Sequence, residues 1–160
     1  MVEQWTENPC VGGSIPPLDI PLNIFVLMNI HLINLLITLK NASLVKKEKV
    51  SVLFTSISYE VVNLLFQEGF VQSFHVKEVK NSSKLIQKEI VIVLRYLYDK
   101  PVFKNLKIIS KPSCVRYASS NDISKLSNKR RVLFISTNKG ITTDSFCKYN
   151  KIGGVLLFSL

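Results

Sequence analysis

Residues 22–39, LNIFVLMNIHLINLLITL, carry no charged side chain. A run of this length has few outlets: it spans a bilayer, which takes about 20 apolar residues, or it packs as a helix against a core. Asn23, Asn29, His31 and Asn34 interrupt it. Helical spacing collects Ile30, Ile33, Leu36 and Ile37 on one face. A packed amphipathic helix is therefore expected, with a membrane-anchored basic protein as the alternative. Upstream, Pro9, Gly12, Gly13, Pro16, Pro17 and Pro21 predict an irregular extension. Its start is neither positive like a signal peptide nor Arg-rich like a transit peptide.

Charge divides the chain just after that run. No Lys or Arg occurs before Lys40, and all 21 basic residues follow it. The net charge of the whole is +10. The final stretch, 98–160, holds 12 bases against three acids. A polyanionic partner fits this balance, which bears on association and not on fold. At 47% hydrophobic, the chain has enough apolar material for a core. Cys10, Cys114 and Cys147 form no CxxC pair, and His31 and His75 lie far from metal-ligand spacing, so no metal is expected. An enzyme is a weak reading, because no Cys–His or His–carboxylate pair stands at motif spacing.

Beyond the first helix, VSVLF (50–54) predicts a strand and 56–68 a helix. Ser56 or Ser58 is the expected cap of that helix, Val61, Val62, Leu64, Leu65 and Phe66 its buried side, and Gly69 its stop. FVQSFHV (70–76) and EIVIVLRY (89–96) predict strands joined by a turn at Asn81–Ser83. Asp99-Lys100-Pro101 is the best boundary. After it come short strands around Lys111-Pro112, a helix at 119–126 capped by Asn121, and a strand RRVLFIS. A helix capped by Thr142 or Thr143 and a final strand after Gly153-Gly154 close the chain. The expected class is mixed α/β (α+β) in two small domains: an α-β-α-β-β unit at 28–98 and a mostly antiparallel β domain with short helices at 99–160, preceded by an extension at 1–27.

Three polar turns follow short strands in the second half: Ser110-Lys111-Pro112, Ser136-Thr137-Asn138-Lys139-Gly140, and Lys151 with Gly153-Gly154. Small residues admit a close backbone, and hydroxyls and N–H groups bond phosphate or sugar oxygens. Lysines add the salt-dependent part of affinity. Tyr117, beside Arg116, offers a ring for an unpaired base. Read blandly, each is an ordinary turn, a solvated cation or a half-buried ring. Thr142 to Asp144 fit a helix cap better than a contact.

In order, LKNAS (39–43), QEGFV (67–71), LKIISKPSCVRY (106–117) and ISTNKGITTD (135–144), with a Gly-Gly thirteen residues after Gly140, resemble the small-subunit ribosomal protein eight family. The resemblance is collinear over roughly 28–160. It implies a non-catalytic structural constituent of the small ribosomal subunit, free of cofactor and metal. The expected partners are the central domain of small-subunit rRNA and neighbouring small-subunit proteins, with no small-molecule substrate. It places Ser136, Thr137, Asn138, Lys139 and Gly140 in the principal RNA-contact loop. Ser110, Lys111, Pro112, Arg116, Tyr117, Lys151, Gly153 and Gly154 lie beside it, and Lys40, Lys46 and Lys47 make secondary backbone contacts.

The departures are specific. The family's third loop serine is Asn138, its Gly-Gly-Glu acid is Val155, and the glycine after the proline is Ser113. The Asp-Pro that opens its first helix is Ile30-His31. With 17 Lys to 4 Arg, the chain is similar to organellar members, and a mitochondrial ribosome is expected, with a plastid ribosome as the alternative.

Overall fold

The computed structural model describes residues 22–80, 86–98, 100–127 and 131–160. The expected turn at Asn81–Ser83 and the boundary residue Asp99 lie outside them.

Helix α1 (Leu22–Leu44) is followed by strand β1 (Lys49–Leu53), helix α2 (Ser56–Gln67), and strands β2 (Val71–Lys80) and β3 (Ile86–Leu94). This is the α-β-α-β-β order expected. The strands form one antiparallel sheet ordered β1-β3-β2. Strand β3, IQKEIVIVL, takes the centre because Ile90, Ile92 and Leu94 bury one face completely while Glu89 stays outward.

No helix among the described residues is long and apolar enough to cross a membrane. Instead α1 packs on the core through Leu32, Leu35, Leu36, Leu39 and Ala42. This face differs from the expected one: Ile30 and Ile37 are exposed and only Leu36 of the expected set is buried. In a run apolar all round, the periodic signal is shallow, and the neighbouring sheet chooses the phase. Helix α2 buries Val61, Val62 and Leu65, but Phe66 faces outward. Its N-cap is Thr55, whose hydroxyl accepts the Ser58 N–H, and not Ser56 or Ser58. Gly69, at φ +76°, ends it in the left-handed conformation that glycine adopts without a Cβ clash.

A small ribbon, β4 (Tyr96–Leu97) with β5 (Lys100–Pro101), and a 3-10 turn at Val102–Asn105 lead into the second half. There β6 (Lys107–Ile108), β7 (Tyr117–Ala118), helix α3 (Ser120–Leu126), β8 (Leu133–Thr137), β9 (Gly140–Thr143), helix α4 (Asp144–Asn150) and β10 (Gly154–Ser159) follow. Their sheet is antiparallel and ordered β6-β10-β8-β9, with β7 also on β10. The fold is mixed α+β.

This second sheet has apolar material on both faces. On one, Ile123, Leu133, Ile135, Cys147 and Leu156 pack with α3 and α4. On the other, Phe134 and Phe158 stack at 4.4 Å and join the α1, α2 and β3 side chains in one cluster. Phe70 meets Phe134 edge-on, and the Lys40 Nζ donates to the Leu106 carbonyl at 3.2 Å. Helix α3 is capped by Ser119 and not Asn121: Ser119 and Asp122 bond each other's backbone N–H in a capping box.

Candidate nucleic-acid interface

Strand β8 turns into β9 through two residues, Asn138 and Lys139, with Thr137 opposite Gly140. Both turn residues are exposed. Thr137 builds the turn from within: its Oγ1 donates to the Gly140 carbonyl at 3.0 Å and accepts the Lys139 N–H at 3.2 Å. The hydroxyl that looked like a ligand contact is therefore committed to local geometry. Gly140 sits at φ +98° with open space where a Cβ would be. It supplies the backbone angle and leaves the approach clear.

Strand β10 assembles the rest. Val155 pairs with Tyr117 on one side and Ser136 on the other, and Ser136 pairs with Ile141. Cross-strand partners share a face, so one rung carries Tyr117, Val155, Ser136 and Ile141. Tyr117 and Ser136 stand about 10 Å apart, two strand spacings. Tyr117 is 66% exposed. Val155 lies between them, so the departure from Gly-Gly-Glu falls at the centre of the rung.

Gly153 and Gly154 serve packing. A Cβ on Gly154 would lie 2.3 Å from the Ser136 carbonyl oxygen, and one on Gly153 2.8 Å from that of Ala118. Their smallness lets β10 pass between β7 and β8. Lys151 precedes them at the end of α4, at φ 54°, exposed and left-handed.

The 109–116 excursion leaves and rejoins the same edge of β10. The Leu157 carbonyl, freed by a register shift between Leu156 and Phe158, accepts the N–H groups of Ile109 and Ser110, and the Leu156 N–H donates to Arg116. Ser110 is buried, and its hydroxyl accepts the Arg116 N–H at 3.0 Å. It anchors the loop from inside. Lys111 and Cys114 exchange backbone hydrogen bonds around Pro112-Ser113, leaving Lys111 and Arg116 exposed.

The sheet thus gathers Ser136, Tyr117 and the glycines on neighbouring strands, with the Asn138-Lys139 tip and the Lys111 turn extending from it. Lys40, Lys46 and Lys47 belong to α1 and the turn after it. Lys40 is occupied by Leu106, and the Lys47 carbonyl accepts the Tyr96 hydroxyl at 2.6 Å. Burial and Glu48 raise the Tyr96 pKa, against an opposing pull from Lys46.

Sequence reasoning missed two elements here. Asp144, buried, accepts the Ser127 hydroxyl and ties α3 to α4. Only tertiary proximity joins residues 17 apart. Tyr149 is almost fully exposed between Lys148 and Lys151. Its base–aromatic–base spacing was the available signal.

The family model for ribosomal protein S8 matches residues 31–160. The chain is 39% identical over 129 residues to "Small ribosomal subunit protein uS8c" of Oltmannsiellopsis viridis, covering 79% of this chain and 94% of that one. It is 38% identical to uS8c of Tupiella akineta, with 79% and 94% covered. To uS8 of Vesicomyosocius okutanii subsp. Calyptogena okutanii it is 35% identical, with 79% and 93% covered. A family match across most of the chain, on a mixed α+β fold whose polar turns meet along one strand, shows that this chain belongs to the ribosomal protein S8 family, structural proteins of the small ribosomal subunit.

Proposed function

We propose that this chain binds the central domain of small-subunit rRNA through the β8–β9 tip and the rung beneath it. Residues 99–160 act as the RNA-binding unit and 28–98 as the unit that makes secondary contacts, with 1–27 an addition. The observation that supports this most is the rung. It places the exposed Tyr117 ring and the Ser136 side chain on one face, beside a tip of exposed Asn138 and Lys139. Tyr117 stacks on an unpaired base. Ser136 and Asn138 bond sugar and base-edge groups, and Gly140 admits the backbone. Lys111, Arg116, Lys139 and Lys151 supply counterion-releasing contacts.

Thr137, Ser110, Gly153 and Gly154 act in this reading by holding the surface in shape. Val155 removes an acid from its middle, which leaves the rung apolar where the resemblance expects a carboxylate. The role needs no cofactor, metal or small-molecule substrate. Neighbouring ribosomal proteins complete its surroundings.

The ribosome we propose is that of a plastid, in place of the mitochondrial one expected from sequence. Several relatives carry the uS8c name, among them those of Oltmannsiellopsis viridis and Tupiella akineta. Localisation of a tagged full chain tests this; mitochondrial recovery would overturn it.

The decisive binding test titrates the full chain against the central-domain rRNA and an unrelated RNA of equal length at physiological salt. Preference by a factor of about 10³ or more is expected of site recognition. Equal affinity for both RNAs would overturn the reading.

A further inference from the structure

Helix α1 carries an apolar stripe on the side away from its core contacts. Ile30, Ile33 and Ile37 recur at helical spacing and share that side. Ile30 is 41% exposed and Ile37 44%, and Ile33 is half-buried. The next position on the same side is Lys40. There the stripe runs into a cleft of about 350 Å³ lined by Ile37, Lys40, Leu106, Lys107 and Ile108. The cleft is apolar but for two lysines. The charges on the segments around it have one sign. No acid occurs between Asp19 and Glu48 or between Asp99 and Asp122, while 100–121 carries Lys100, Lys104, Lys107, Lys111 and Arg116. Both walls of the cleft, α1 and 106–108, come from these acid-free segments. On the β10 side, Ser159 pairs with Lys107, and the chain end beyond it at Leu160 accepts the Val132 N–H.

An RNA backbone would suit the lysines and leave the isoleucines uncovered. The face calls for a segment that is extended, apolar and acid-bearing. Residues 1–21, which lie outside the described residues, have that composition: Glu3, Glu7 and Asp19 with no Lys or Arg, and Val11, Ile15, Leu18 and Ile20. They join the chain at Leu22, the first residue of the helix that bears the stripe. From Leu22 to Lys40 the helix is about 27 Å long at its usual rise. About nine residues span that distance in polyproline form. Pro16, Pro17 and Pro21 favour such an extended path and reduce the entropy lost on docking. The residues before them, with Glu3 and Glu7, then reach the cleft. Attachment to α1 supplies an effective concentration on the order of millimolar. The family match begins at residue 31, so this segment is additional to it.

We propose that the Ile30–Ile33–Ile37 stripe and the cleft between α1 and β6 are the docking site of the chain's own residues 1–21. Ile15, Leu18 and Ile20 cover the stripe, and Glu3 and Glu7 meet the lysines of the cleft. The extension is then a tethered cover for one face of the first half. This inference does not rest on the RNA-binding reading, and its surface is separate from the β8–β9 tip.

The test places benzoylphenylalanine at position 30 or 37 of the full chain, irradiates it and maps the adducts by mass spectrometry. Links within one chain to a peptide from residues 1–21 are expected, with a yield that dilution does not change. Links only between two copies of the chain, links only to rRNA when small-subunit rRNA is added, or no link to residues 1–21 would overturn the proposal. In parallel, Glu3→Lys with Glu7→Lys should lower the yield about threefold, the scale of exposed ion pairs. Adding Lys107→Glu to that variant should bring the yield back toward its starting value. An unchanged yield in the first variant would overturn the proposal, because the acids are what select this occupant. A thermal melt of each variant separates lost docking from lost folding.

Discussion

Gly140 and Gly154 belong to the same polar-turn pattern, yet the molecule needs them for different reasons. At Gly154 the constraint is space: a methyl group would meet the Ser136 carbonyl at 2.3 Å. Gly154→Ala should force β8 and β10 apart and cost about 1–3 kcal/mol in denaturant unfolding, the usual range for overpacking. At Gly140 the constraint is the backbone angle, and its surroundings are open. Thr137 and Ser136, adjacent in sequence, divide the same way. Thr137→Val should lose two local hydrogen bonds and about 1–2 kcal/mol of stability. Ser136→Ala with Asn138→Ala should instead leave the melt nearly unchanged and weaken rRNA binding by about 1–3 kcal/mol. Titrations at several salt concentrations check this. Lys139→Ala should chiefly flatten the salt dependence.

At the scale of elements, caps and helix phase show where local rules hold and where they give way. The helix at 56–68 and the one at 119–126 were both legible, but their caps were placed wrongly. Thr55 and Ser119 win because each sits with extended backbone just before the first helical turn and aims its hydroxyl at an N–H three residues on. Thr55→Ala should cost about 1 kcal/mol, read from equilibrium unfolding. In the second cap, hydrogen bonds from the Ser119 hydroxyl and backbone N–H hold Asp122 below the ordinary carboxylate pKa. A depressed folded value means the stabilisation is present above the unfolded pKa and fades as pH falls through the folded one. NMR titration of Asp122 should show the low value, and Ser119→Ala should return it toward normal. The phase of α1 was misread because Ile and Leu occur on all its sides. The sheet and the Val102–Asn105 turn decide which of them are covered.

For the molecule as a whole, the Phe134–Phe158 stack joins the second sheet to the α1, α2 and β3 cluster. Phe134→Ala should cost about 3–5 kcal/mol and lower the melting of both halves together. Two separated transitions, with only the second half shifted, would contradict a shared core. Tyr96 gives a second global readout. Its raised pKa means the folded chain holds the phenolic proton more tightly than the unfolded chain. The associated stability is present below the unfolded value and is lost as pH rises through the folded one. Ultraviolet titration should find Tyr96 ionising at higher pH in the folded chain than in the unfolded one.

Sequence alone determined the order of helices and strands, the basic second half and the membership of the three polar turns. These are carried by local periodicity, turn chemistry and composition, which act within a few residues. It could not say which turn residues face a ligand and which hold the turn. Ser110, Thr137, Gly153 and Gly154 were read by their chemical type; Ser110 and Thr137 bond groups six and three residues on, inside their own turns, while the two glycines are set by carbonyls of Ala118 and Ser136 on other strands. Nor could it show that Val155 stands between Tyr117 and Ser136, or that the rings of Phe54, Tyr59, Phe74 and Phe66 meet one another in a line. Register and packing decide these, because they depend on which strands pair and on how closely their backbones approach.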